Sequence, residues 1–195
     1  HILDEEGVPC DKMKYTGVEI ASTAISNSIK PLIESIITAI FKTKNYNETQ
    51  KVYRKAYDDF QHLSIEDIAW PRSIRNLEKY ESQANGLAVV KGTPRHCKAV
   101  IYYNHLLDEL GLSHKYAKIK SGDKIKFFNT EKNKYGIDCI AFNGVYPIEF
   151  NINADYKKMF QIIVFAAIER LYDALGWNVV DLDEEPVNDL LSLLS

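Results

Sequence analysis

The chain has 195 residues, 46% hydrophobic and 26% charged, with a net charge of −3. That is enough apolar material for one sizeable domain with appendages, and no apolar run is long enough to span a membrane as a helix. Cys10, Cys97 and Cys139 lie far apart without a Cys-x-x-Cys pair, which argues against a disulfide framework or a structural zinc site and for a reducing compartment. The first residue is His1, not Met, and no signal-peptide pattern follows. The expectation is therefore an internal start, either a processed product or a fragment of a longer protein.

In chain order, residues 1–4 and 12–18 read as two short strands around the turn Glu5-Glu6-Gly7-Val8-Pro9. Such a hairpin is too small to stand alone, should lie on a sheet this chain does not supply, and leaves an edge open to a second copy. Ile25, Ile29, Ile33, Ile36, Ile37 and Ile40 follow helical spacing from Ser26 to about Lys42, with Pro31 tolerable only near the first turn. A second helix is expected from Asn47, as cap, to about Leu63. Val52, Tyr53, Ala56 and Phe60 form its apolar side and Lys51, Arg54 and Lys55 its basic side, which is a solvated face or a binding one. Residues 64–94 are the least regular: an apolar piece from Ile65 to Trp70, a break at Pro71, then Arg72-Ser73-Ile74-Arg75 leading to a short helix.

Residues 89–112 organise the rest. Val89-Val90 meets a basic turn, Lys91-Gly92-Thr93-Pro94-Arg95, and the turn opens a helix with Thr93 as N-cap, Pro94 at the first helical position and Gly111 as the stop. Cys97, Val100, Ile101, Tyr103, Leu107 and Leu110 share its buried side, and Asn104 lies within that stripe. A buried amide must be hydrogen-bonded, so Asn104 is expected to fix a neighbouring loop. Lys91, Arg95 and Lys98 beside a glycine at a helix start present fixed cations and backbone N–H groups to an anion, most simply a phosphate.

Further on, residues 113–119 read as one helical turn or two, and Ser121-Gly122-Asp123 as a turn. Lys124 to Phe128 and Ile137 to Phe142 read as a β-hairpin. After a Tyr146-Pro147 turn, a core helix from Asp155 to Gly176-Trp177 carries Met159, Phe160, Ile163, Val164, Ala167, Ile168, Leu171 and Leu175 inward. The end is an acidic linker followed by a short apolar peptide with Leu190, Leu191, Leu193 and Leu194. It is either a docking peptide for a partner's groove or a tail that folds back.

The net charge hides an internal polarity. Residues 91–134 hold ten bases and four acids, a local +6, whereas residues 178–195 hold five acids and no base. Clustered Lys and Arg are the electrostatic footprint of a nucleic-acid surface, with a solvated lysine-rich hairpin as the alternative. His96, His105 and His114 repeat every nine residues, but nine helical steps turn by about half a circle, so they do not converge on a metal.

Several of these stretches are similar to one family. Lys91-Gly92-Thr93-Pro94, then His96 and Tyr103-Asn104-His105-Leu106-Leu107, resembles the thumb segment of B-family DNA polymerases of T-even-type bacteriophages. Members read as a Gly-Thr-Pro or Gly-Trp-Pro turn, a His, a basic residue, then Leu-Tyr-Asn. Cys97-Lys98-Ala99 stands where many have Val-Arg-Gly. Met13-Lys14-Tyr15-Thr16-Gly17-Val18-Glu19 with Ser22-Thr23 resembles the palm-to-thumb junction, and Lys12 and Lys14 match its two lysines. Ser121-Gly122-Asp123-Lys124-Ile125-Lys126-Phe127, Asn133 and the Ile-Ala-Phe strand also match, in the family's order. So do Tyr146-Pro147-x-x-Phe150, the last long helix and an acidic, leucine-bearing C-terminal peptide.

The resemblance implies an α+β fold, mainly helical: a residual palm hairpin (1–20), a thumb with a β-hairpin insertion (21–177), and a linker with a clamp-binding peptide (178–195). It implies DNA contacts from Lys12, Lys14, Lys91, Gly92, Thr93, Arg95, His96, Lys98, Lys124 and Lys126, and sliding-clamp contacts from Leu190, Leu191, Leu193 and Leu194. The implied partners are primer–template duplex, the clamp, and the palm and fingers of the parent polymerase, in the cytoplasm of an infected bacterium. Nucleotidyl transfer in such a parent uses two Mg2+ ions held by two aspartates. The family's Asp-x-x-Ser-Leu-Tyr-Pro-Ser and Tyr-x-Asp-Thr-Asp-Ser runs are missing from this sequence, and Asp4-Glu5-Glu6 and Asp58-Asp59 lie in no such motif. The fragment is thus expected to be inactive alone, with no cofactor of its own. The rival readings are a free-standing nucleic-acid-binding protein, an adaptor acting through its tail, and one subunit of a split polymerase.

Overall fold

A computed structural model describes residues 2–3, 9–10, 24–81, 87, 89–179 and 181–183. These form an α+β fold of helices around a three-stranded antiparallel sheet, with a separate two-stranded pair at the start.

That first pair is β1 (Ile2–Leu3) against β2 (Pro9–Cys10), with Ile2 opposite Cys10. A hairpin does form, but Pro9 lies in its second strand and not in its turn. Lys12, Lys14 and the rest of the expected strand 12–18 lie outside the described residues.

Helix α1 (Lys30–Thr43) begins later than the isoleucine spacing suggests, because Pro31 has to sit in the first turn. Ile25 and Ile29 are still buried, on a turn in which the Ile29 N–H donates to the Ser26 carbonyl at 3.2 Å. Helix α2 (Tyr46–Gln61) is capped by Asn45, not by Asn47. The Asn45 side chain accepts from the Glu48 N–H at 3.2 Å, which sets the frame that buries Thr49, Tyr53, Ala56 and Phe60. On the basic side of α2, Lys51 pairs with Glu48 at 2.8 Å and Lys55 with Asp59 at 3.0 Å, while Arg54 donates to the Asp181 carbonyl at 2.8 Å.

Residues 65–81 are more regular than their sequence suggests. A short α3 (Ile65–Ile68), capped by Ser64, leads into β3 (Trp70–Ser73), followed by α4 (Leu77–Glu81). Pro71, expected as a break, is within β3. An edge strand tolerates proline because one side of its backbone is outside the ladder.

Helix α5 (Arg95–Glu109) starts one residue later than expected. Pro94 occupies the N-cap, and among the described residues no side chain caps the first N–H groups. Thr93 is buried and donates its hydroxyl to the Val90 carbonyl at 2.9 Å, closing the turn and not capping the helix. The other end is as anticipated. Gly111 has φ +65°, and the Leu112 N–H donates to the Leu107 carbonyl at 2.8 Å, the bond that ends a helix on a left-handed glycine. Residues 113–119 contain a single hydrogen-bonded turn, Lys115 and Tyr116 both donating to Leu112, and no helix.

The hairpin forms from β4 (Lys124–Asn129) and β5 (Cys139–Phe142), with β4 between β3 and β5. Trp70 pairs with Phe127, Arg72 with Ile125 and Phe127 with Ala141. A 3-10 turn (Ile148–Phe150) follows Pro147. The last long helix is three pieces: α6 (Tyr156–Phe160), a π-helical turn (Gln161–Phe165) and α7 (Ala166–Leu175). Its apolar stripe, Phe160, Val164, Ile168 and Tyr172, advances by fours. On a pure α-helix that stripe would drift about 40° per step, and one wide turn brings it back to the core. The expected inward Leu175 is instead 44% exposed, and Tyr172 is the buried member at that end.

One hydrophobic cluster runs from Ile25 to Tyr172. At its centre Phe160 meets Tyr53, Tyr57 and Phe60 edge-to-face at ring separations of 5.1–5.3 Å. No helix among the described residues is long and apolar enough to cross a membrane.

Candidate nucleic-acid interface

The local +6 of residues 91–134 is not one surface. Lys115 pairs with Glu149 and, together with Tyr116, holds that carboxyl down at about 2. Lys118 pairs with Asp108 at 2.6 Å, and Lys134 lies over the Tyr135 ring at 4.9 Å. Lys126 donates to the Glu66 carbonyl at 2.6 Å and is partly buried.

At the start of α5 the expected anion-binding set divides. Arg95 turns back on the protein, with its guanidinium 3.1 Å from Asp138 and hydrogen-bonded to the Asn129 carboxamide oxygen. Lys158 lies 3.0 Å from the other Asp138 oxygen. Burial raises the Asp138 pKa, but the Lys158 hydrogen bond and the Arg95 charge outweigh it and hold the carboxyl below the usual range. Thr93 faces its own turn. Lys91 and Gly92 are exposed, with Gly92 at φ +95°, and His96 and Lys98 are half-exposed. Burial, helped by the neighbouring Arg72 charge, lowers the His96 pKa and favours its neutral imidazole.

Lys124 retains an open position, and with it come two residues that sequence reasoning did not assign to the site. Arg72 and Arg75, both exposed, line a shallow cleft of about 440 Å³ with Lys124, Pro71, Ser73 and Ile125. Among the described residues that lining carries three cations and no carboxylate, and none of the three is ion-paired. Only the β3–β4 pairing brings Arg72 beside the hairpin, and its influence on His96 ties the cleft to the start of α5. The one signal in the sequence was the pair of arginines flanking Ser73-Ile74 just after an apolar run.

Cys97 and Cys139 are buried thiols. Burial raises both, Cys139 to about 11, so neither is a nucleophile at neutral pH. Among the described residues no group of three or more His, Cys, Asp or Glu side chains gathers to hold a metal ion. Lys12 and Lys14, and the tail residues Leu190, Leu191, Leu193 and Leu194, lie outside the described residues.

No protein-family model matches the chain, and no curated protein matches it.

Proposed function

We propose that this chain is the thumb-region portion of a phage-like, B-family replicative DNA polymerase, gripping primer–template duplex through its phosphates. The observation that carries this reading is the open basic edge, Lys124, Arg75 and Arg72 leading to His96 and the uncapped start of α5. Two of the stretches that resemble the phage thumb bear on that edge: Lys91-Gly92-Thr93-Pro94 with His96 leads into the start of α5, and Lys124 of Ser121–Phe127 lines the cleft. Phosphate contacts position a duplex without reading its sequence, which suits a polymerase that must copy any template. On this reading the palm and fingers of the parent supply the aspartates and their two Mg2+ ions, and the tail leucines reach a sliding clamp. The setting is the cytoplasm of an infected bacterium.

The test is anisotropy on a labelled primer–template against salt, for the wild type and for Lys91→Ala/Lys98→Ala/Lys124→Ala. Sequence-blind binding is expected, with a log–log salt slope that flattens by about 0.9 for each phosphate contact removed. No binding at low salt, or a slope indifferent to the three substitutions, would refute it.

The same edge would serve a free-standing nucleic-acid-binding protein. An in-frame palm sequence upstream of this segment, or a separate palm-bearing chain that co-purifies with it, distinguishes the polymerase reading.

A further inference from the structure

Beyond the phosphate-gripping edge, the sheet carries a feature that duplex binding does not use. Trp70 and Phe127 are direct cross-strand partners on β3 and β4, and both side chains are only half-buried. With Met159 and Ile162 from the long helix they wall a slot of about 190 Å³, and Arg72 and Asn129 complete it. The π-helical turn contributes here, since Ile162 within it is 47% exposed at the slot. Clefts that enclose drug-sized ligands run to about 300–1,000 Å³, so this slot takes one flat ring.

Its polar groups are placed for use. The Asn129 oxygen is occupied by Arg95, which orients the carboxamide, and its NH2 donates to none of the described residues. Arg72 belongs both to the slot and to the adjoining cationic cleft with Arg75 and Lys124. A ring-sized aromatic slot that shares Arg72 with a cationic cleft fits a flat, hydrogen-bonding ring joined to a polyanionic chain.

We infer that the Trp70–Phe127 slot seats an unpaired base of a single-stranded nucleic acid, with the adjoining phosphates on Arg72, Arg75 and Lys124. Stacking between aromatic walls is indifferent to base identity, because every base has a π-face. The inference rests on the nucleic-acid reading of the basic edge, but not on the polymerase reading.

The experiment uses the full chain carrying Trp177→Phe, which leaves Trp70 as the only tryptophan. Its emission is followed while single-stranded oligo(dT), or a blunt duplex of equal length, is titrated in. Oligo(dT) is expected to quench Trp70 saturably and salt-sensitively. In the Trp177-containing chain, followed by anisotropy of labelled oligo(dT), Phe127→Ala and Trp70→Leu are expected to weaken binding about five- to a hundredfold, the range of one base–aromatic stack. Trp70→Phe, which keeps a ring, should bind oligo(dT) more tightly than Trp70→Leu, and duplex affinity should be unchanged in the Trp70 and Phe127 variants. Arg72→Ala, at an exposed site, weakens oligo(dT) binding without risk to the fold.

Oligo(dT) binding with no quench and no loss in Trp70→Leu would mean phosphate contacts alone, and would overturn the slot. Duplex binding without any oligo(dT) binding would also overturn it, leaving the proposed function intact. If deleting residues 184–195 by itself shifts Trp70 emission, the chain's own tail occupies the slot and the inference fails. Conversely, oligo(dT) quenching without duplex binding would remove the thumb reading and keep the slot.

Discussion

Arg95 and Asp138 meet at 3.1 Å between the start of α5 and the residues leading into β5, and Lys158 lies 3.0 Å from the second carboxylate oxygen. The shared carboxyl is held below the ordinary Asp range, so it binds its proton less readily folded than unfolded. Its contribution is therefore complete above the unfolded value, about 3.9, and is lost as pH falls through the lower native value. Asp138→Asn should cost about 1 kcal/mol at pH 7 and show a shallower acid limb in urea midpoints measured from pH 6 down to pH 2. The same substitution removes the negative charge beside the α5 start, while Arg95 keeps its bonds to Asn129 and to the Asp138 carbonyl. Duplex binding by Asp138→Asn is thus expected to tighten, with a salt slope steeper by up to about 0.9.

Asn104 holds a neighbouring segment of the fold in place. Its Oδ1 accepts from the Ile119 N–H and its Nδ2 donates to the Ile119 carbonyl, both at 2.9 Å. A single amide thereby pins the chain between α5 and β4. Asn104→Ala leaves two backbone groups without partners and is expected to cost about 2–3 kcal/mol by urea denaturation. DNA affinity measured well below the transition should be unchanged.

The aromatic centre separates packing from polarity. The Tyr53 and Tyr172 hydroxyls are buried without a hydrogen-bond partner among the described residues. Tyr53→Phe is accordingly expected to hold or raise stability by up to about 1 kcal/mol, since the hydroxyl lost made no bond. Phe160→Ala, which removes the ring touching Tyr53, Tyr57 and Phe60, should lower it by about 3–5 kcal/mol. Thermal melts of the two variants would rank them oppositely about the wild type.

Gly111 ends α5 at φ +65°, and a Cβ there would meet nothing within 4 Å. The cost of Gly111→Ala is therefore conformational alone, about 1–2 kcal/mol, without change in oligomeric state or binding.

What the sequence made legible was periodic. The isoleucines of α1, the Tyr53–Phe60 face of α2, the glycine stop of α5 and the Lys124–Phe142 hairpin follow from spacing and local turn chemistry. What stayed hidden depended on distant pairing. Pro71 reads as a breaker until β4 makes its strand an edge. Arg95 reads as a free cation until Asp138, 43 residues later, is folded against it. Arg72 comes beside Lys124 only through its register with Ile125. Asn45 and Asn47 both cap well by type, and the burial of Tyr53 and Phe60 selects the first.

The root of the acidic tail is tied down. Arg54 holds the Asp181 carbonyl, Lys157 pairs with Asp183, and Tyr46 donates to the Asn178 carbonyl at 3.3 Å. Asp183, the last described residue, is therefore anchored beside α2 and α6. Leu194 follows it by eleven residues, and at about 3.3–3.6 Å per residue the two are never more than roughly 40 Å apart. On the proposed reading, a clamp bound by the tail leucines is held within that radius of the anchor, and cutting the Lys157–Asp183 and Arg54–Asp181 ties would widen that radius without adding a residue.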